Sequence, residues 1–128
     1  MSPAPVGPII QVFGREDHQE TRAALRFFKE RRVAVQFVDV RRKPMATREF
    51  RRFAEHLGAS ALADTTGRAW TDAGLGYMRM DADELATRLL ADQRLLKLPL
   101  VRIGTGFAAG RDEAAWKALF ATALLAKA

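Results

Sequence analysis

The residues with most chemical potential lie in one short stretch, Gly14-Arg15-Glu16-Asp17-His18-Gln19-Glu20-Thr21-Arg22. It sets an imidazole and a hydroxyl among acids and arginines, between an apolar run and the start of a helical pattern. A strand-to-helix turn exposes free N–H groups at the positive end of a helix dipole, where an oxyanion can be held or a nucleophile activated. His18 could act there as a general base or contact a ligand, and the dipole favours its neutral form. Without an orienting partner, a lone histidine reads more readily as a partly exposed polar residue filling the position than as a catalyst. Asp17 is expected as the N-cap with Glu20 three residues on, which is capping-box spacing. Those carboxylates would occupy the N–H groups an anion needs, and Glu16 adds a third negative charge, so the stretch is expected to repel oxyanions. Thr21 is expected to bond to the preceding turn rather than attack a substrate.

The chain has no cysteine. Thiolate nucleophiles, disulfides and thiolate metal sites are thereby excluded. Its two histidines, His18 and His56, lack ligand-like spacing. Neither a metal nor a cofactor is expected.

The elements that must position this stretch follow from pattern. At 128 residues, 48% apolar and with net charge +6, the chain reads as one globular domain, residues 1–128. No window approaches a membrane span. Residues 1–8, with three prolines and no basic segment, read as a flexible lead rather than a signal peptide, and the cytoplasm is the expected location. Ile9–Phe13 reads as a buried strand, Asp17–Arg32 as a helix and Val33–Val40 as a second strand, an order that favours parallel pairing. After Pro44 a helical insertion at about 45–95 is expected. It holds a helix at Thr47–Leu57 closed by Gly58 in a left-handed cap, a short turn at Ala59–Asp64, another at Ala69–Ala73, and a helix at Asp81–Leu90 capped by Asp81. Tyr77, Met78 and Met80 are expected to lie under the insertion. Leu98–Ile103 reads as a strand entered through Pro99, Gly104–Gly106 as a hairpin turn, and Phe107–Ala109 as a fourth strand. Asp112 should cap a last helix that buries Ala115, Trp116, Leu119, Phe120 and Leu124.

The order β-α-β, helical insertion, β-β-α is the thioredoxin-like arrangement with a four-stranded mixed sheet, an α/β fold. In "IQVFG", "TRAALRFFKERRVAVQFVDV", "TTGRAWTDAGL" and "LLADQRLLKLPLVRIGTGFAAGRDEAAWKALF" the sequence resembles the arsenate reductase-like family, which includes the regulator Spx. The resemblance runs from Ile9 to Phe120. It implies a redox cysteine at the start of the first helix, where this chain has His18, and in Spx-type members a second cysteine where it has Thr21. It implies an anion-holding arginine before the proline, where Leu98 stands, and another in the insertion, roughly at Asp64. Arg22 and Pro99 match, and the resemblance implies a cis bond at Pro99. This is therefore a family pattern with a degenerate site: His18, Thr21, Arg22, Leu98 and Pro99. Arsenate reduction passes through a covalent thiol adduct, which imidazole cannot replace.

Positive charge concentrates in Arg41, Arg42, Lys43, Arg48, Arg51 and Arg52. Residues 48, 51 and 52 share a helix face. Three readings stay open for these candidate binding residues: a solvated face, an acidic protein partner, or nucleic acid. No aromatic platform or helix-turn-helix spacing favours the last. The function expected is a non-redox binding or regulatory protein contacting another protein. The alternative is an enzyme of altered chemistry, acting on glutathione or another small molecule in a groove near His18 and Pro99.

Overall fold

Four short strands carry the molecule: β1 (Ile10–Gly14), β2 (Gln36–Asp39), β3 (Leu100–Ile103) and β4 (Gly106–Ala109). In this computed structural model, which describes residues 8–127, they form one sheet in the order β2-β1-β3-β4. β1 runs parallel to β2 and antiparallel to β3, and β3 pairs antiparallel with β4. The parallel pair is joined by helix α1 (Gln19–Glu30), the crossover that parallel strands require. This is the thioredoxin-like four-stranded mixed sheet.

Alternation along each strand divides the core. Ile10 and Val12 of β1, Val101 and Ile103 of β3 and Ala108 of β4 face α1 and helix α5 (Glu113–Lys127), where Phe27, Phe28 and Trp116 fill the layer. Phe13 and Leu100 point to the other face. They meet Phe50 and Phe53 of helix α2 (Thr47–Leu57) and Leu85 and Leu89 of helix α4 (Ala82–Ala91). Each large apolar side chain fully buried in this way contributes roughly 1.5–3 kcal/mol. Between α2 and α4 lie a 3-10 turn at Ala59–Leu62 and helix α3 (Arg68–Asp72). Gln93 ties this region to the loop after β2: Met45 N–H donates to its Oε1 at 2.7 Å, and its Nε2 donates to Met45 O at 3.0 Å.

Local chemistry explains the boundaries. Asp81 accepts from Glu84 N–H at 2.8 Å and Asp112 from Ala115 N–H at 3.0 Å, so both cap their helices. Gly58 has φ +83° but ψ 148°, so the chain leaves α2 extended rather than in the left-handed helical conformation expected. β2 is shorter than the Val33–Val40 pattern, although the alternation holds: Val33, Val35 and Phe37 face one core layer and Val38 and Val40 the other. Leu124 is exposed, because the inward stripe of α5 runs through Trp116, Leu119, Phe120 and Ala123 and leaves Leu124 beside it. Tyr77 and Met78 are also exposed instead of lying under the insertion. Of the expected flexible lead, residues 1–7 lie outside the described residues, and Pro8 is buried.

Candidate functional site

The C-terminal end of β1, the start of α1 and the loop before β3 enclose an open cleft of about 630 Å³. Gly14 makes the first turn possible. A Cβ there would overlap the hydroxyl of Thr21, so only glycine lets the first turn of α1 sit against the strand end. Thr21 is fully buried, and its Oγ1 accepts from the N–H of Arg15 at 3.3 Å. The same oxygen lies 3.0 Å from Nδ1 of His18. On the other side of the ring, Nε2 lies 3.2 Å from Oε2 of Glu20.

Polarity assigns the protons in this chain of contacts. Glu20 accepts only, so Nε2 carries the hydrogen and Nδ1 accepts from the Thr21 hydroxyl. Burial lowers the His18 pKa below its ordinary value; Arg15 acts in the same sense, against Glu20, Asp17 and Asp64. His18 is therefore neutral at pH 7, as the sequence suggested, but burial is the main cause.

The expected capping box is absent. His18, not Asp17, is the N-cap residue of α1, and it makes no side-chain cap. No described side chain accepts from the N–H groups of Gln19, Glu20 or Thr21. The acids are held elsewhere. Asp17 pairs with Arg41 at 3.0 Å and Arg15 at 3.4 Å, Glu16 pairs with Arg42 at 3.3 Å, and Glu20 turns to His18. The expectation that carboxylates seal the first helix is thus overturned. For Asp17 and Glu16, guanidiniums from the loop after β2, distant in sequence, outcompete the local N–H groups; for Glu20 the neighbouring imidazole does.

Asp39 organises that loop. Its carboxylate, 5% exposed, accepts from the N–H groups of Glu16 (3.2 Å) and Arg41 (3.0 Å) and pairs with the Arg41 side chain at 3.5 Å. Burial pushes its pKa up, but these hydrogen bonds and the Arg41 charge outweigh burial and hold it below the usual carboxylate value. Asp39 was not among the sequence candidates. The available signal was a carboxylate at the end of a strand, directly before three cations.

The structure separates the other candidates. His18, Arg41 and Leu98 line the cleft. Pro99 is buried behind it, the Leu98–Pro99 bond is cis, and its carbonyl accepts from Gly110 N–H at 2.9 Å. Arg22 is exposed and does not line the cleft. Arg42 and Lys43 are exposed on the loop after β2. Arg48, Arg51 and Arg52 lie on α2, and of these Arg48 and Arg52 border a separate, smaller groove. The run of cations is therefore two surfaces, not one. Missed by sequence reasoning were Arg94, Lys97 and Arg111, which line the cleft from the far side. Asp92 holds Arg94 at 2.8 Å, and Arg111 reaches Glu113 at 3.4 Å. Asp64, at the position of an expected family arginine, also lines the cleft. Among the described residues no His, Asp and Glu cluster could hold a metal, and no helix is long and apolar enough to cross a membrane.

The arrangement limits the available chemistry. Thr21 has no access for a nucleophilic role, and both nitrogens of His18 are engaged by its own turn. What is left is a wide, charged recess lined by His18, by Lys97 and by several arginines and carboxylates.

A model of the family described as "ArsC family" matches residues 16–119. No curated protein matches the chain. Among solved structures, the YFFB protein superposes with a TM-score of 0.79 at 18% identity, covering 87% of this chain and 98% of its own. An arsenate reductase from Vibrio cholerae gives 0.75 at 16% identity, covering 87% and 98%. SACOL0876 from Staphylococcus aureus gives 0.73 at 22% identity, covering 86% and 97%. At these identities the likeness shows a shared fold.

Proposed function

The chain belongs to the ArsC family, and on that premise we propose that it is a non-catalytic binding protein whose cleft receives an acidic segment of another protein. One observation carries this reading: His18, at the head of α1, has both ring nitrogens occupied by Thr21 and Glu20. This is the hydroxyl–imidazole–carboxylate order of a catalytic triad, but the Thr21 hydroxyl that His18 would activate is fully buried, so no substrate can reach it. Sulfur redox chemistry needs a thiolate, and the chain has no cysteine. Arsenate reduction by the isolated chain is therefore not expected.

The lining of the cleft supports an acidic partner. Arg15, Arg41, Arg94, Lys97 and Arg111 face Glu20, Asp64 and Asp92. Arg15, Arg41, Arg94 and Arg111 are each paired with a carboxylate, as is Arg42 on the adjoining loop, so among the described residues of this surface the uncompensated cations are Lys97 and the neighbouring Lys43. Such a field speeds encounter with acidic partners and disfavours basic ones.

The alternative, an enzyme acting on glutathione or a small molecule beside His18 and Pro99, requires His18 to release one of its two partners first. It predicts that His18→Ala abolishes any glutathione-induced thermal shift; an unchanged response removes it.

The resemblance to Spx, which binds RNA polymerase, makes the purified C-terminal domain of the polymerase α subunit the first partner to test, followed by partners recovered from the source cell. Lys97→Glu combined with Arg111→Glu should weaken the complex about tenfold or more. No specific partner at micromolar protein, or a partner indifferent to both substitutions, would overturn the proposal.

A further inference from the structure

A second groove lies away from the cleft, on the α2 face of the sheet. Strand register sets Gln36, Gln11, Arg102 and Phe107 side by side across β2, β1, β3 and β4. Apart from Phe107 this row is polar, where the next row, containing Phe13 and Leu100, is core. Gln11 Nε2 donates to Gln36 Oε1 at 2.8 Å, which turns Gln11 Oε1 to accept from Arg102 Nη1 at 3.3 Å. Arg102 Nε donates to Gly104 O at 3.0 Å. Two of the five guanidinium N–H groups are thus used, both on neutral oxygens, and the remainder stay available on a side chain locked in place.

Arg48 and Arg52 reach the same groove from successive turns of α2. Among the described residues no carboxylate lies within ion-pair distance of Arg48, Arg52 or Arg102. The one acid in the lining, Glu49, already accepts from Ala46 N–H at 3.0 Å. Three permanent cations therefore converge on a space of about 120 Å³ with one partly committed carboxylate. Converging like charges disfavour the empty site, and a compact anion relieves them through charge-assisted, forked hydrogen bonds. The space is large enough for a single tetrahedral group against the three arginines. Phe107, stacked on His56 at 4.1 Å between centroids, forms an apolar wall suited to the carbon side of an ester.

The geometry points to a binding site for a phosphate monoester dianion, built by Arg48, Arg52 and Arg102 and held in shape by Gln11. It is separate from the cleft, so the two readings fail independently. The probes are inorganic phosphate and O-phosphoserine, followed by amide chemical shifts. The expected result is saturable shifts at Gln11, Arg102 and Phe107, with none at Gln19–Thr21 or Lys97. Arg48→Gln with Arg52→Gln, both exposed positions, should weaken binding about tenfold or more while the fold is kept. Arg102→Gln should do the same, and Lys97→Gln should leave the affinity unchanged. A thymidine decamer with only diester phosphates should compete poorly. Shifts confined to the cleft, affinity unmoved by the double variant, or a decamer that displaces phosphoserine at equal phosphate concentration would each overturn the assignment.

Discussion

Replacing Thr21 by valine would test the proton arrangement at the head of α1. The substitution keeps the shape of a fully buried side chain and removes its hydroxyl. Two contacts go with it: the acceptor for Arg15 N–H at 3.3 Å and the donor to His18 Nδ1 at 3.0 Å. Each hydrogen bond contributes about 0.5–1.5 kcal/mol net, and a donor left without a partner adds to the loss, so the cost should be about 2 kcal/mol. For a chain of this length that corresponds to a fall in Tm of about 6–10 °C, measurable by calorimetry. The second readout is the His18 titration followed by NMR. If the Thr21 hydroxyl donates to Nδ1, it stabilises the neutral ring, and its loss must raise the His18 pKa. If instead Nδ1–H donates to Thr21, the loss would lower the pKa. Thr21→Ser, which keeps the hydroxyl, should restore the wild-type pKa. An unchanged or lowered His18 pKa in Thr21→Val, at wild-type stability, would refute the relay from Arg15 through Thr21 and His18 to Glu20.

The pKa directions also set two windows of acid sensitivity. His18 binds its proton less readily in the folded chain than in the unfolded one, so stability is full above about pH 6.5 and falls as pH drops through the lowered folded value. Replacing His18 by glutamine should flatten a slope of at most about 1.4 kcal/mol per pH unit between pH 7 and 5 in urea titrations. Asp39 and Asp92 are lowered as well, so their contributions are present above the usual carboxylate value near 3.8 and are lost only as pH falls below it. Asp39→Asn should therefore lower stability at every pH above that value and flatten the pH dependence only in the acid window, read from melts at pH 7 and between pH 4 and 2. Gly14→Ala should cost about 1–3 kcal/mol, because the new methyl group overlaps Thr21 and the helix must move; a variant that melts with wild type would show that the turn can yield.

Several features are legible in the chain itself. Helix α2 spans the same residues that Pro44 and Gly58 bracket in sequence, and Asp81 and Asp112 cap as their spacing suggests. Thr21 bonds back to the preceding turn, as a hydroxyl in the first turn of a helix tends to. The loss of sulfur chemistry needed only the absence of cysteine. These follow from composition or from neighbours within a few residues, where the covalent chain itself sets the distance.

The fate of charges was not legible in the same way. Asp17 and Glu20 have the spacing of a cap, yet Asp17 pairs with Arg41, 24 residues on, and Glu20 with His18. A run of arginines looks like one patch along the chain, but Asp39 pins Arg41 beside the cleft while Arg48 and Arg52 join Arg102 on another face. A carboxylate can choose among several cations, and only the closed sheet determines which of them is within reach. The sequence by itself determined the element order, the two-faced core and the absence of a thiol. Tertiary structure decided which ions meet, that His18 is enclosed by its own turn, and where open recesses remain, because those depend on contacts between residues far apart in the chain.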